Sequence, residues 1–153
     1  MDSETRIKKT WFGVNAKVNV RGDFLHISGV GPLMIPHPGI ANLLLRTGLP
    51  GKVRRHLVFA HEFAHFQTVP VIFLYMCVFA IRSYLTGRTG FGDVVFILIS
   101  VHAAWEILSE CLVAGTDFKA YREFYRGKLL IPQLLFWTVG TMLVAAGGFF
   151  LVR

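Results

Sequence analysis

Residues 56–81 read HLVFAHEFAHFQTVPVIFLYMCVFAI, a long apolar stretch interrupted near its start by two histidines and a glutamate. At about 1.5 Å per residue, a helix over this stretch is long enough to cross a hydrocarbon core of about 30 Å. Two further apolar stretches of similar length follow at 91–115 and 129–152. The sequence therefore predicts three transmembrane helices, at 56–81, 91–115 and 129–152.

The overall composition agrees with a membrane protein. Apolar residues make up 54% of the chain, charged residues only 16%, and the mean hydropathy is +0.53. The 153 residues favour a single integral-membrane domain, 1–153, because a second large soluble domain would not fit. The net charge of +7 comes from Lys and Arg beside apolar segments, which indicates membrane lipids as partners and no nucleic acid.

The remaining segments are shorter. In residues 1–38, apolar and polar residues alternate from Val14 to Val20 before Gly22 and Asp23, which predicts a small β-hairpin followed by a loop. Segment 39–55 is predicted to lie at the membrane interface, and 117–128 to form an amphipathic interface helix before the last span. The predicted fold class is a mostly α membrane protein, with three transmembrane helices preceded by this N-terminal hairpin.

Basic residues near the predicted spans indicate the orientation of the chain. The flanks 46–55 and 119–128 hold four Lys or Arg residues each, whereas the loop between the first two spans has Arg82 and Arg88. By the positive-inside rule, both basic flanks lie on the cytoplasmic side. The sequence thus predicts a multi-pass integral membrane protein whose N-terminus, and hairpin, are cytoplasmic.

His61, Glu62 and His65 form an HExxH motif within the first predicted span. On a helix, residues four apart project from one face, so the two imidazoles can bind one Zn²⁺ ion while leaving a position open for water. A carboxylate next to the first histidine can accept a proton from that water. Because ionisable groups within a span are costly, three of them together indicate a functional site.

A catalytic zinc ion commonly has a third protein ligand, and the second predicted span offers candidates. These are His102, Glu106, Glu110 and Asp117. At about 1.5 Å per residue from the basic flanks, Glu106 and Glu110 are roughly level with the histidines, whereas His102 is deeper and Asp117 lies at the interface. The spacing leaves Glu106 and Glu110 as the two candidates for the third ligand.

These residues resemble the gluzincin class of metallopeptidases, and among membrane proteins the family of HtpX and the CAAX-processing proteases. In that family HExxH is followed, on a later helix, by Glu-x-x-Ala-Asp, and EILSE at 106–110 is similar to it. The resemblance implies that Glu106 is the third zinc ligand and that Glu110 orients His61 from outside the metal sphere. Glu110 as the ligand stays an alternative. Site-2-type proteases are a weaker comparison, because their Asn-Pro and Asp-Gly signature is absent.

The sequence therefore predicts a membrane-embedded, zinc-dependent metalloendopeptidase in which Glu62 is the catalytic base. Its substrate would be a peptide or membrane protein, cleaved near the cytoplasmic face. The alternative is a metal-binding or noncatalytic accessory subunit of a larger membrane complex. That complex could be a redox one, because Glu62 and His65 with the two later glutamates partly resemble a di-iron carboxylate site. The sequence also leaves open a homo-oligomer.

Overall fold

In the computed structural model, four strands are followed by three long helices. It describes residues 3–21, 25–39, 42, 45, 46, 49, 51–87, 90–119, 121 and 130–152, with the backbone alone at 37, 38, 130 and 152. The strands are β1 (Ser3–Lys9), β2 (Asn15–Arg21), β3 (Leu25–Val30) and β4 (Leu33–Pro38). The helices are α1 (Gly51–Thr86), α2 (Phe91–Thr116) and α3 (Leu130–Val152).

The predicted hairpin is too small: the four strands, within residues 3–21 and 25–38, form one antiparallel sheet in the order β1-β2-β3-β4. The alternating pattern did identify β2, whose partner strand β3 runs from Leu25 to Val30. Strand β1 (SETRIKK) was not predicted. It is an edge strand and almost wholly exposed, so its sequence lacks the alternation of a half-buried strand. Strand β4 (LMIPHP) contains two prolines, which sheets tolerate at an edge.

One face of the sheet packs on the first half of α1. Ala16, Val18 and Val20 of β2 are buried against Phe59 and Phe63 of the helix, among others. At the edge of this contact the Arg6 guanidinium lies 4.2 Å from the centroid of the Phe59 ring. The sheet therefore covers the part of α1 that carries the HExxH motif.

All three helices are long and apolar enough to cross a membrane, as the sequence predicted. Each includes its predicted span almost entirely, but α1 extends five residues earlier, to Gly51, and reaches Thr86. Its 36 residues make a helix of about 54 Å, much longer than a bilayer core. Part of α1 can therefore stand outside the hydrocarbon, next to the sheet.

Helices α1 and α2 are antiparallel, since a short connection at 87–90 joins them, and α3 packs mainly on α2. Ser100 Oγ of α2 donates to the carbonyl of Leu143 at 3.1 Å and lies 3.4 Å from the Tyr75 hydroxyl of α1. Gly147 of α3 meets both side chains so closely that a Cβ there would lie 1.9 Å from Ser100 Oγ. The antiparallel arrangement brings the end of α2 next to the beginning of α1.

The two predicted interface segments are described only in part. In 39–55, residues 51–55 belong to α1, and Asn42, Leu45 and Arg46 are helical and buried rather than at a surface. In 117–128, residues 118, 119 and 121 are helical, and Tyr121 is buried. Residues 39, 49 and 117 are also described, and the rest of both segments lies outside the described residues.

Candidate metal centre

His61 and His65 of α1 and Glu106 of α2 form a cluster in which one ligand atom from each residue lies within 4.8 Å of the others. The two Nε2 atoms are 3.1 Å apart. His61 Nε2 is 3.1 Å from Glu106 Oε2, and His65 Nε2 is 3.5 Å from Glu106 Oε1. The structure thus brings together the two histidines of the motif and one of the two predicted third ligands.

These separations match the requirements of a tetrahedral metal site. With metal–ligand bonds of about 2.0–2.1 Å, two ligands of a tetrahedral zinc lie about 3.3–3.4 Å apart. His61 is 1% exposed, whereas the side chains of His65 and Glu106 are 14% and 19% exposed. His61 is therefore enclosed, whereas His65 and Glu106 each keep a small exposed surface.

The opposite nitrogen of each imidazole has its own partner on α2. His61 Nδ1 donates to Glu110 Oε2 at 2.7 Å, and His65 Nδ1 lies 3.0 Å from the Ser109 hydroxyl. When Nδ1 carries the proton, Nε2 presents its lone pair, which is the form that binds a metal. Glu110 and Ser109 therefore orient both rings with Nε2 towards Glu106.

The backbone around His65 is also held by side chains. The Trp105 indole N–H donates to the His65 carbonyl at 2.9 Å, and its ring meets the imidazole edge-on at 5.1 Å between centroids. The Thr68 hydroxyl donates to the carbonyl of Ala64 at 2.9 Å. Because Pro70 has no N–H and interrupts the hydrogen bonds of this turn, such contacts help to keep His65 in position.

Glu110 makes several polar contacts outside the three-residue cluster. Arg46 NH2 lies 3.0 and 2.7 Å from its two carboxylate oxygens, and the Tyr121 hydroxyl donates to Oε1 at 2.9 Å. The side chains of Arg46 and Glu110 are both completely buried. Glu110 therefore lies on the Nδ1 side of His61, where it can orient the ring. Glu106, by contrast, lies next to the Nε2 atoms of both histidines.

Glu62 has polar partners of its own, one of them on the sheet. His26 Nδ1 of β3 donates to Glu62 Oε1 at 2.8 Å, and Asn42 Nδ2 donates to the same oxygen at 2.8 Å. Asn42 Oδ1 in turn accepts from Arg46. A continuous set of buried contacts thus runs from His26 through Glu62, Asn42 and Arg46 to Glu110, and from there to His61.

The other two ligand candidates lie at the margin of the site or away from it. The imidazole of His102 is 72% exposed and its Nε2 is 3.8 Å from Glu106 Oε1. Asp117 contacts His56, and its carbonyl accepts the backbone N–H of Tyr121 at 3.0 Å. Neither residue is among the three clustered ligands found in the described part of the chain.

Several residues of this network were not predicted as part of the site. They are His26, Asn42, Arg46, Ser109 and Tyr121. The sequence places Arg46 in the basic flank 46–55, which predicts a position at the membrane interface. One signal could have identified it: in the apolar stretch IANLLLR, Asn42 and Arg46 are four apart, so a helix places both polar side chains on one face.

Comparisons with protein-family models, curated protein sequences and solved structures gave no match.

Proposed function

We propose that the protein is a membrane-embedded, zinc-dependent peptidase whose metal ion is held by His61, His65 and Glu106. The observation that carries this proposal is the convergence of two Nε2 atoms and one carboxylate at 3.1–3.5 Å. Two lone-pair-bearing nitrogens this close repel each other unless a proton or a cation lies between them. With Nδ1 of His61 bonded to Glu110, a metal cation satisfies all three groups at once.

Zinc is the metal that fits this ligand set best. Two imidazoles and one carboxylate are a common catalytic zinc set, and the three groups leave a fourth position for water or substrate. A bound zinc ion would polarise the substrate carbonyl and lower the pKa of a bound water to about 7. Glu110 and Ser109 would strengthen the site by orienting both histidines.

We assign the role of general base to Glu62, which directly follows the first ligand. As base, its carboxylate would accept the proton of the attacking water and pass it to the leaving amine. His26 and Asn42 hold this carboxylate through Oε1 and so restrict its orientation. A base oriented by other groups is a recurring feature of sites that activate a nucleophile.

The proposed substrate is a peptide or a membrane protein, cleaved next to the membrane. The three apolar helices support contact with lipids, and the exposed sides of His65 and Glu106 give the cluster an entrance. By the positive-inside rule, the basic flanks of the spans favour a cytoplasmic position for the N-terminal sheet and for this entrance. A homo-oligomer or a larger membrane complex is compatible with this proposal.

The second candidate is a metal-binding subunit without hydrolytic activity. It is supported by the contacts of Glu62, because its Oε1 already accepts hydrogen bonds from His26 and Asn42 and is therefore engaged away from the three clustered ligands. A di-iron centre has less support. Both Glu62 and Glu110 would have to leave their present partners to bridge two metal ions.

Three glutamate-to-glutamine variants separate these functions. The purified full-length protein and each variant are loaded with zinc, and metal content, zinc affinity and cleavage of a casein or membrane-protein substrate are measured. Glu106→Gln should lower zinc affinity most, because it removes a ligand. Glu110→Gln should lower it less, by about 10–100-fold, because it changes a partner of His61.

Glu62→Gln distinguishes the two candidate functions. For a peptidase, this variant should keep about one equivalent of zinc and lose hydrolysis. Wild-type protein that binds zinc but cleaves nothing would favour the noncatalytic subunit. Wild-type protein without stoichiometric zinc, or a Glu62→Gln variant with full hydrolytic activity, would contradict the proposed peptidase.

A further inference from the structure

Two large aromatic side chains stand exposed at the tip of the connection between β1 and β2. Trp11 is 72% exposed and Phe12 is 38% exposed, and their rings meet edge-on at 5.3 Å between centroids. They are the two central residues of a turn that the Gly13 N–H closes by donating to the Thr10 carbonyl at 3.0 Å, and Gly13 itself has φ +90. Exposed aromatic residues that stand together mark a binding surface more often than residues scattered singly.

The tip is fixed to helix α1, so that its aromatic rings have a defined position. The backbone N–H of Trp11 donates to Gln67 Oε1 at 3.0 Å, and its indole N–H donates to the Gln67 carbonyl at 2.9 Å. Both N–H groups of Trp11 are therefore satisfied within the protein. The part of the indole that remains exposed is its apolar surface.

Gln67 lies just before the exposed apolar surface of α1. This surface begins at Val69 and ends at Leu85, about 24 Å further along the helix, and its most exposed side chains are Phe73, Leu74, Tyr84 and Leu85. Its length approaches the thickness of a bilayer core. The aromatic tip thus stands at the end of the surface that is suited to contact lipid tails.

Exposed lysines lie near the tip on both of the strands that it connects. Lys8 and Lys9 immediately precede the turn, and Lys17 follows it on β2; all three are exposed. Aromatic side chains next to lysines are typical of the boundary between membrane and water, where rings lie among head groups and ammonium groups reach phosphates.

We propose that the β1–β2 tip is a membrane anchor, in which Trp11 and Phe12 insert among the lipid head groups while Lys8, Lys9 and Lys17 bind anionic lipids. The occupant of this surface is the bilayer that surrounds α1, because the tip continues the apolar surface of that helix. His65 precedes Gln67 by two residues. The anchor therefore holds the sheet, and the metal centre beneath it, at the lipid boundary, whether or not the protein is a peptidase.

A fluorescent label tests the position of the tip. In the full chain with Cys77→Ala and Cys111→Ala, Phe12→Cys is labelled with an environment-sensitive dye and the protein is placed, one copy each, in lipid nanodiscs. Ser3→Cys, an exposed residue at the other end of β1, is the matched control. Quenching is measured with lipids that carry a spin label near the head group and with iodide in water.

The label at position 12 should be quenched strongly by the spin-labelled lipid and several-fold less by iodide than the label at position 3. Equal iodide quenching at both positions would overturn the anchor. Protection that appears only in samples with two copies per disc would also overturn it, because the surface would then bind a second copy of the chain.

A second measurement tests the lysines. The emission of the label at position 12 is compared between nanodiscs of phosphatidylcholine and nanodiscs that also contain anionic phosphatidylglycerol. The anionic discs should shift the emission further to the blue, and the Lys8→Gln, Lys9→Gln, Lys17→Gln variant should lose this difference. A difference that persists in the triple variant would refute the role of the lysines.

Discussion

Arg46→Met is expected to lower the free energy of unfolding by about 3–5 kcal/mol, because breaking one side of a buried ion pair leaves the other charge uncompensated. Such a loss is larger than that of most single substitutions, which cost about 0.5–3 kcal/mol. Both side chains of the Arg46–Glu110 pair are completely buried, and one guanidinium nitrogen contacts both carboxylate oxygens. Arg46 also donates to Asn42, which supports Glu62.

The assay is thermal unfolding in detergent micelles with a chelator present, so that lost metal binding does not contribute. In a chain of this length each kcal/mol corresponds to roughly 2–4 °C, so the midpoint should fall by at least about 6 °C. Lys52→Met removes an exposed positive charge near the start of α1 and serves as the control, with an expected change within about 0.5 kcal/mol.

The double variant Arg46→Met, Glu110→Gln decides whether the pair is the cause. Removing both charges should recover much of the stability, because an apolar or neutral replacement of a buried pair is often tolerated. If Arg46→Met unfolds at the wild-type temperature, or if the double variant loses the full sum of the two single effects, then the ion pair does not have the importance that its burial indicates.

Two further predictions concern α2 and α3. Ser109→Ala removes the hydroxyl next to His65 Nδ1 and should weaken zinc binding about tenfold in a competition titration. Ser100→Ala on the same helix is the control and should leave the zinc affinity unchanged. Equal zinc affinities for both variants and the wild type would contradict the role of Ser109. Gly147→Ala places a methyl group 1.9 Å from Ser100 Oγ and should lower stability by about 1–3 kcal/mol in thermal unfolding. The neighbouring Gly148→Ala has open space and should leave stability unchanged or higher, and the reverse order would show that α3 packs differently.

The helices were predictable because a spanning segment is defined by local properties. Length and hydropathy alone identify each one, and within the described ranges three helices satisfy both criteria. The sheet was predictable only at the hairpin of β2 and β3, where one buried face of β2 produces alternation and Gly22 and Asp23 separate the two strands. Strands β1 and β4 are edges, so pairing with a neighbour, rather than their own pattern, makes them strands.

The residues of the candidate site were also predictable only where their positions depend on local spacing. His61 and His65 are a local pair on one helix, and their common face follows from their spacing of four residues. Glu106 and Glu110 share a face of α2 for the same reason, so spacing alone could not choose between them. The structure places Glu106 beside both Nε2 atoms and Glu110 against Arg46, because the antiparallel helices and the segment containing Arg46 meet at this level.

The sequence by itself determined the apolar helices and the two histidines that share one helical face, because both depend on residues close together along the chain. Only the tertiary structure decided which groups complete the site. Arg46 contacts Glu110, and His26 contacts Glu62, across separations of 64 and 36 residues. Such contacts depend on how the sheet and helices pack. A buried charge or imidazole is costly without a hydrogen-bond partner, and that partner can come from any part of the chain that the fold brings close.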